Sequence, residues 1–203
     1  MLHYLIIGIG LAFAAVVQPG PFQAFLLSQS LMNGWRKTIP LVFAPIITDG
    51  PIITIVLLAL TNVPNYVLQL LQCAGGVLLI YLAYGAYRTW KTFDLNKQQE
   101  ASSQQNVFKA VLVNFFNPAP YLGWSLVMGP ILLKGWNEAP STGIVFLIGF
   151  YSTMIICSMG MVILFAAARN LGPKVNRVSI GISAIALGIF GVYQLWSGIV
   201  SYH

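Results

Sequence analysis

Gln18-Pro19-Gly20-Pro21 interrupts a run from Leu2 to Met32 that is otherwise apolar enough and long enough to cross a bilayer as a helix. Proline has no amide hydrogen and its ring clashes with the preceding turn, so Pro-Gly-Pro cannot continue an α-helix. In hydrocarbon, a broken backbone is tolerated only where protein or a watery cavity satisfies the freed groups. The stretch therefore predicts a helix broken near the bilayer midplane, with the break serving a purpose. The remainder of the chain reads as apparatus around it.

The 203 residues are 58% apolar and 7% charged, whereas a soluble domain is about a quarter charged. Too few polar groups remain to cover a water-facing surface, so the composition is that of a membrane protein. The formal charge of +6 comes from ten Lys and Arg scattered among connectors. No basic face with interleaved aromatics is present, so nucleic acid is not an expected partner. Cys73 and Cys157 fall inside apolar runs, where cysteine behaves as a small hydrophobe. The first run is too long for a cleavable leader and lacks its cationic start, so it is expected to stay.

A span needs about 20 apolar residues. Six segments meet that length: Tyr4–Met32, Ile39–Leu60, Tyr66–Tyr87, Ala110–Leu133, Thr142–Ala168 and Val178–Val200. The whole chain, 1–203, is expected to be one transmembrane domain. Within it, a polar, Gln-rich linker (91–106) separates a first half of about 1–90 from a second of about 107–203. Connectors after the first, third and fifth spans carry nine of the ten Lys and Arg; the opposite side holds only Lys134. By the positive-inside rule both termini face out and the linker is cytoplasmic.

The halves resemble each other. Gln18-Pro19-Gly20-Pro21-Phe22 in the first span matches Asn117-Pro118-Ala119-Pro120-Tyr121 in the fourth. Tyr84-Gly85-Ala86-Tyr87-Arg88-Thr89-Trp90 in the third matches Phe190-Gly191-Val192-Tyr193-Gln194-Leu195-Trp196 in the sixth. The offsets are 99 and 106 residues, consistent with one duplication and small insertions. Three spans per half make the second half enter the membrane from the other side. The expected fold is thus all-α: six transmembrane helices forming two inverted-topology three-helix repeats, with helices 1 and 4 broken near the midplane.

Each break starts a new half-helix, at Pro21 and at Pro120, and proline suits a first helical turn. Gln18 and Asn117 are placed to bond the freed backbone groups. Two helix N-termini, each worth roughly half a positive charge, would converge from opposite leaflets and favour an anion such as a carboxylate. Asp49, in Ile47-Thr48-Asp49-Gly50-Pro51, is the one charge expected inside a span. A carboxylate at that depth marks a substrate or proton path by default; the alternative is a structural cap for a helix restarting at Pro51. A site with a carboxylate and two positive helix ends suits a zwitterion, and a proton taken up and released by Asp49 would couple transport to a proton gradient. The candidate binding residues are Gln18, Pro19, Gly20, Pro21, Gln23, Asp49, Asn114, Asn117, Pro118, Ala119 and Pro120, with Asp49 also the proton-coupling group. The amides among them have a second reading as glue between helices. Tyr121, Tyr151 and Thr153 read as packing, although Tyr151 falls roughly where the repeat would place the counterpart of Asp49.

Catalysis is disfavoured. Intramembrane proteolysis wants two aspartates or a Ser-His pair, and the spans offer one aspartate, with His3 and His203 only at the chain tips. Haem or retinal would need an embedded His or Lys, so no cofactor and no resident metal is expected.

The Pro-Gly-Pro break in the first span, Asp49 in the second and Asn117-Pro118-Ala119-Pro120 in the fourth resemble the LysE/RhtB amino-acid exporter family. The glycine- and tyrosine-containing third span, from Gly75 through Tyr81-Leu82 to Gly85, is similar as well. The likeness covers nearly the whole chain. It departs at Phe22-Gln23, where members often have Asn, and at Pro40, Pro45 and Pro51, which crowd the second span. The resemblance implies a multi-pass protein of a bacterial inner membrane that exports an amino acid or a close derivative at the expense of the proton-motive force. Its wider superfamily leaves a metal-ion exporter or a channel as the alternative. The expected partners are a small-molecule substrate and the lipid bilayer; glycine-rich faces fit a homo-oligomer and intramolecular packing equally.

Overall fold

The structure, a computed structural model, describes residues 1–18, 20–58, 65–91, 103–169 and 172–200. All regular structure among them is helical. Helix α1 (Leu2–Val17) and helix α2 (Pro21–Asn33) meet at the Pro-Gly-Pro break with a bend of 64°. Helix α2 ends at Gly34, whose φ of +78° lies in the left-handed region open to glycine. A short helix α3 (Trp35–Thr38) and a 3-10 stretch (Ile39–Phe43) lead into α4 (Ala44–Leu58). Pro40 and Pro45 supply no amide to the turns before them, which accounts for the tight winding there.

Helix α4 runs straight through Pro51. The restart expected there as the alternative role of Asp49 does not occur. Side-chain hydroxyls serve the local carbonyls instead: Thr54 Oγ1 donates to Gly50 O at 2.9 Å, and Thr48 Oγ1 lies 3.2 Å from both Ala44 O and Pro45 O.

Helix α5 (Asn65–Lys91) and helix α10 (Pro173–Val200) form the most extensive helix pair. They run antiparallel: Gly198 packs on Cys73, Gly191 on Gly76, and Gly181 on Trp90. A Cβ at Gly76 would stand 2.8 Å from the carbonyl oxygen of Gly191, so the backbones approach as only small residues allow. At one end Arg177 stacks on Trp90, with 5.6 Å from its guanidinium carbon to the ring centre.

The expected fourth span, Ala110–Leu133, is in pieces. Helix α6 (Ser103–Phe115) stops at a break, and α7 (Pro118–Gly123) begins the next run. A π-helical turn (Trp124–Met128) then leads to α8 (Gly129–Glu138). Pro130 has no amide for the carbonyl four residues earlier, and the turn ahead of it widens. Ser103–Asn106, expected as the end of the linker, belong to α6. Residues 92–102 of that linker lie outside the described residues. Helix α9 (Pro140–Arg169) follows α8 after Ala139 alone.

Among the described residues, four helices are long and apolar enough to cross a membrane, and the bent α1–α2 pair makes a fifth candidate. Their outward faces are apolar, as Ile80 and Tyr84 on α5 and Ile185 and Ile189 on α10 illustrate. That is how helices meet lipid rather than water. The chain is a multi-pass membrane protein.

Buried side chains fall into two clusters. One, around Phe25, Leu41, Leu79, Val162 and Leu187, joins α2, the 3-10 stretch, α5, α9 and α10. The other, around Ala12, Ile52, Trp124, Phe146 and Phe150, joins α1, α4, the π turn and α9. The helix breaks lie between them.

Candidate substrate cavity

Where the backbone is interrupted, its polar groups need partners, and the two breaks are finished differently. At the second, Asn117 is the N-cap of α7, its Oδ1 accepting from the Ala119 amide at 3.1 Å. Helix α7 starts at Pro118, two residues before the expected Pro120. Its first turn offers no free amide, because Pro118 and Pro120 have none and that of Ala119 is occupied. The expected pair of amide-bearing helix ends is therefore one-sided. At the first break Gly20 caps α2 without any side-chain bond. Gln18 is exposed and does not fill the capping role expected of it. Gln23 instead reaches back across the gap, its Nε2 donating at 3.1 Å to Ala15 O near the end of α1. Replacing Asn117 with Ala is expected to lower stability by about 1 kcal/mol, the usual cost of a lost cap. Thermal unfolding in detergent checks this, and an unchanged midpoint would show that the cap carries no weight.

Both breaks open on one cavity of about 370 Å³. Of the residues singled out from the sequence, Gln18, Gly20, Pro21, Gln23, Asp49, Asn114, Asn117, Ala119 and Pro120 line it. Pro118 does not appear in the lining, and Pro19 lies outside the described residues. The volume falls within the usual range for small-molecule sites.

Asp49 is only 4% exposed. The Tyr151 hydroxyl on α9 donates to its Oδ2 at 3.1 Å. Asn114 Nδ2 donates to Thr48 Oγ1 at 2.6 Å and lies 3.5 Å from Asp49 Oδ1. The Trp124 indole also faces the carboxylate. Asp49 lies on the wall of the cavity beside these donors. It is the one acidic residue in the lining, and no Lys, Arg or His joins it there among the described residues.

The chain order hides part of this site. Tyr151, read as packing, is the principal donor to Asp49; its signal was the place that the expected repeat gives it, opposite Asp49. Trp124, Phe150, Met154 and Ser158 also line the cavity. Nothing marks the last three, because α9 is apolar around its whole circumference. Trp124 and Phe150 meet edge to face with ring centres 5.7 Å apart, and Phe150 meets Tyr151 at 5.2 Å.

Removing the Tyr151 hydroxyl deprives a buried carboxylate of its best donor, which costs about 1–3 kcal/mol. The Tyr151→Phe protein is expected to unfold correspondingly earlier on heating. In an Asp49→Asn background the same change should cost less than half as much; equal costs in both backgrounds would mean that the two side chains are not coupled.

Among the described residues no three of His, Cys, Asp or Glu gather as a metal ion would require. No match was found among curated proteins or among solved structures. The sequence profile described as LysE type translocator matches residues 13–198, which takes in both helix breaks, Asp49 and every described helix except most of α1 and the last two residues of α10. The chain belongs to the LysE type translocator family, whose members are membrane transporters.

Proposed function

We propose that this protein is a secondary exporter of an amino acid or a related small zwitterionic metabolite, working by alternating access and driven by the proton-motive force. The observation that carries the reading is the shared cavity, in which two interrupted helices and a single buried carboxylate come together. Asp49 receives the substrate ammonium. The substrate carboxylate meets the uncapped start of α2, where the helix dipole and the amides of Phe22 and Gln23 favour negative charge. Proton binding at Asp49 competes with ammonium binding, and this competition couples the two fluxes.

The matching motifs support an arrangement of six spans in two inverted repeats, with α6, α7 and α8 as the broken fourth span. Antiparallel packing of α5 on α10 is what such a repeat requires of its third and sixth spans. The excess of Lys and Arg in the odd connectors supports both termini outside and the linker cytoplasmic; a bacterial inner-membrane location rests on the family resemblance alone.

The test is flux of a panel of amino acids in proteoliposomes with an imposed pH gradient. Saturable, gradient-driven movement with counterflow supports the reading. Unsaturated conductance would replace the carrier with a channel, and movement of divalent cations alone would replace the amino acid with a metal ion.

A further inference from the structure

A zwitterion offers three handles: an ammonium, a carboxylate and a side chain. The cavity meets them unequally. For the ammonium it has Asp49, a full negative charge held in place by Tyr151 and Asn114. The aromatic group of Trp124, Phe150 and Tyr151 stands beside that carboxylate, and ring faces attract cations. For the carboxylate the cavity has no cationic side chain among its described residues, and the start of α7 has no free amide to give. Only neutral donors remain, from the start of α2, the amide side chains and the Ser158 hydroxyl. For the side chain it has a wall of aromatic, thioether and branched groups, including Phe22, Val127, Met128, Met154 and Phe190. Leaving such a wall against a small polar cargo would keep apolar surface wet or empty.

Resting on the exporter reading, we infer that the cavity selects its cargo by an ammonium and a bulky apolar body, and that the carboxylate contributes least. The substrate class is then apolar amino acids together with their carboxylate-free amine analogues, in preference to glycine, serine or acidic amino acids. Burial gains about fourfold in affinity for each methylene, so leucine should bind at least tenfold more tightly than alanine. An ammonium placed on a buried carboxylate contributes about 10- to 100-fold.

Calorimetric titration of the full chain in detergent tests this with phenylalanine, leucine, alanine, serine, phenethylamine and 3-phenylpropanoate. Phenethylamine, which lacks only the carboxylate, is expected within about fivefold of phenylalanine; 3-phenylpropanoate, which lacks only the amine, is expected at least 30-fold weaker. Met154→Ala should narrow the gap between leucine and alanine severalfold. Because Met154 is nearly buried, Val127→Ala serves as a second variant: Val127 is 44% exposed, so its truncation should narrow the gap without unfolding the chain. Serine binding as tightly as leucine, or 3-phenylpropanoate outbinding phenethylamine, overturns the inference and leaves the exporter reading in place. If none of the six binds and none moves down a pH gradient in proteoliposomes, both fall.

Discussion

With Asp49 replaced by Asn, an imposed pH gradient is expected to drive no substrate accumulation above leak, while exchange of substrate for substrate persists at high concentration. The two halves of that result have different causes. Asparagine cannot take up or release a proton in the accessible range, so nothing links proton movement to cargo movement. It is nearly isosteric with aspartate, however, and its oxygen can still accept from Tyr151, so the cavity should keep its shape. One local conflict arises. The new amide would face Asn114 Nδ2, donor against donor, at the 3.5 Å contact. Turning the Asn114 amide over relieves that conflict but points its oxygen at Thr48 Oγ1, whose hydrogen already serves the Ala44 or Pro45 carbonyl. The expected structural cost is about one lost hydrogen bond, 0.5–1.5 kcal/mol. On the proposed reading binding loses more, because a substrate ammonium would give up its charged partner: about 1.5–3 kcal/mol, or 10- to 100-fold in apparent affinity. Flux measured with and without a pH gradient in the same vesicles separates the terms. Gradient-driven accumulation equal to that of the unaltered protein would remove Asp49 from the coupling step.

What could be read in the chain order was whatever contradicts a plain apolar helix. Pro19-Gly20-Pro21, Asn117-Pro118-Ala119-Pro120 and Asp49 are costly inside a membrane, and costly residues announce themselves. Their meeting in one cavity was expected from pairing the two motifs through the proposed repeat. Finer matters turned on geometry. Gln18 and Gln23 lie on either side of the same break, and only geometry decides that Gln23 bridges it while Gln18 stays exposed on the cavity lining. Asp49-Gly50-Pro51 carries a helix-restart signal beside its reading as a functional carboxylate; the continuous α4 shows that no restart occurs. Phe150, Met154 and Ser158 belong to a helix with no polar face, so no periodicity separates the side turned to the cavity from the side turned to lipid. The π turn ahead of Pro130 changes the facing of Trp124 relative to α8, and a regular helical wheel misplaces it.

The second large effect belongs to a residue that touches no cargo. Gly8 on α1 packs directly on the backbone of α9, where an added Cβ would stand 2.5 Å from Phe146 O and 3.0 Å from Phe150 N. From the other side, a Cβ at Gly149 would meet Leu5 O at 2.9 Å. The obstacles are backbone atoms, so rotating a side chain cannot relieve them; the helices must part. Separation would strip contacts from Phe146, which is fully buried, and from Phe150, which forms part of the cavity wall. Without a hydrophobic drive between helices in lipid, close packing is most of what holds them, so little compensates for that loss. Gly8→Leu is therefore expected to cost more than about 3 kcal/mol, in the range of severe overpacking, with a matching loss of monodisperse protein on extraction. Gly10 supplies the control on the same helix. It is exposed, nothing lies within 4 Å of its added Cβ, and Gly10→Leu should be neutral or slightly stabilising as one more lipid-facing apolar group. The comparison cancels helix propensity, since glycine to leucine favours the helix equally at both positions. What remains is the α1–α9 contact alone. Equal melting temperatures for the two variants would mean that α1 does not lie on α9 through Gly8, and the wall of the cavity would have to be rebuilt without it.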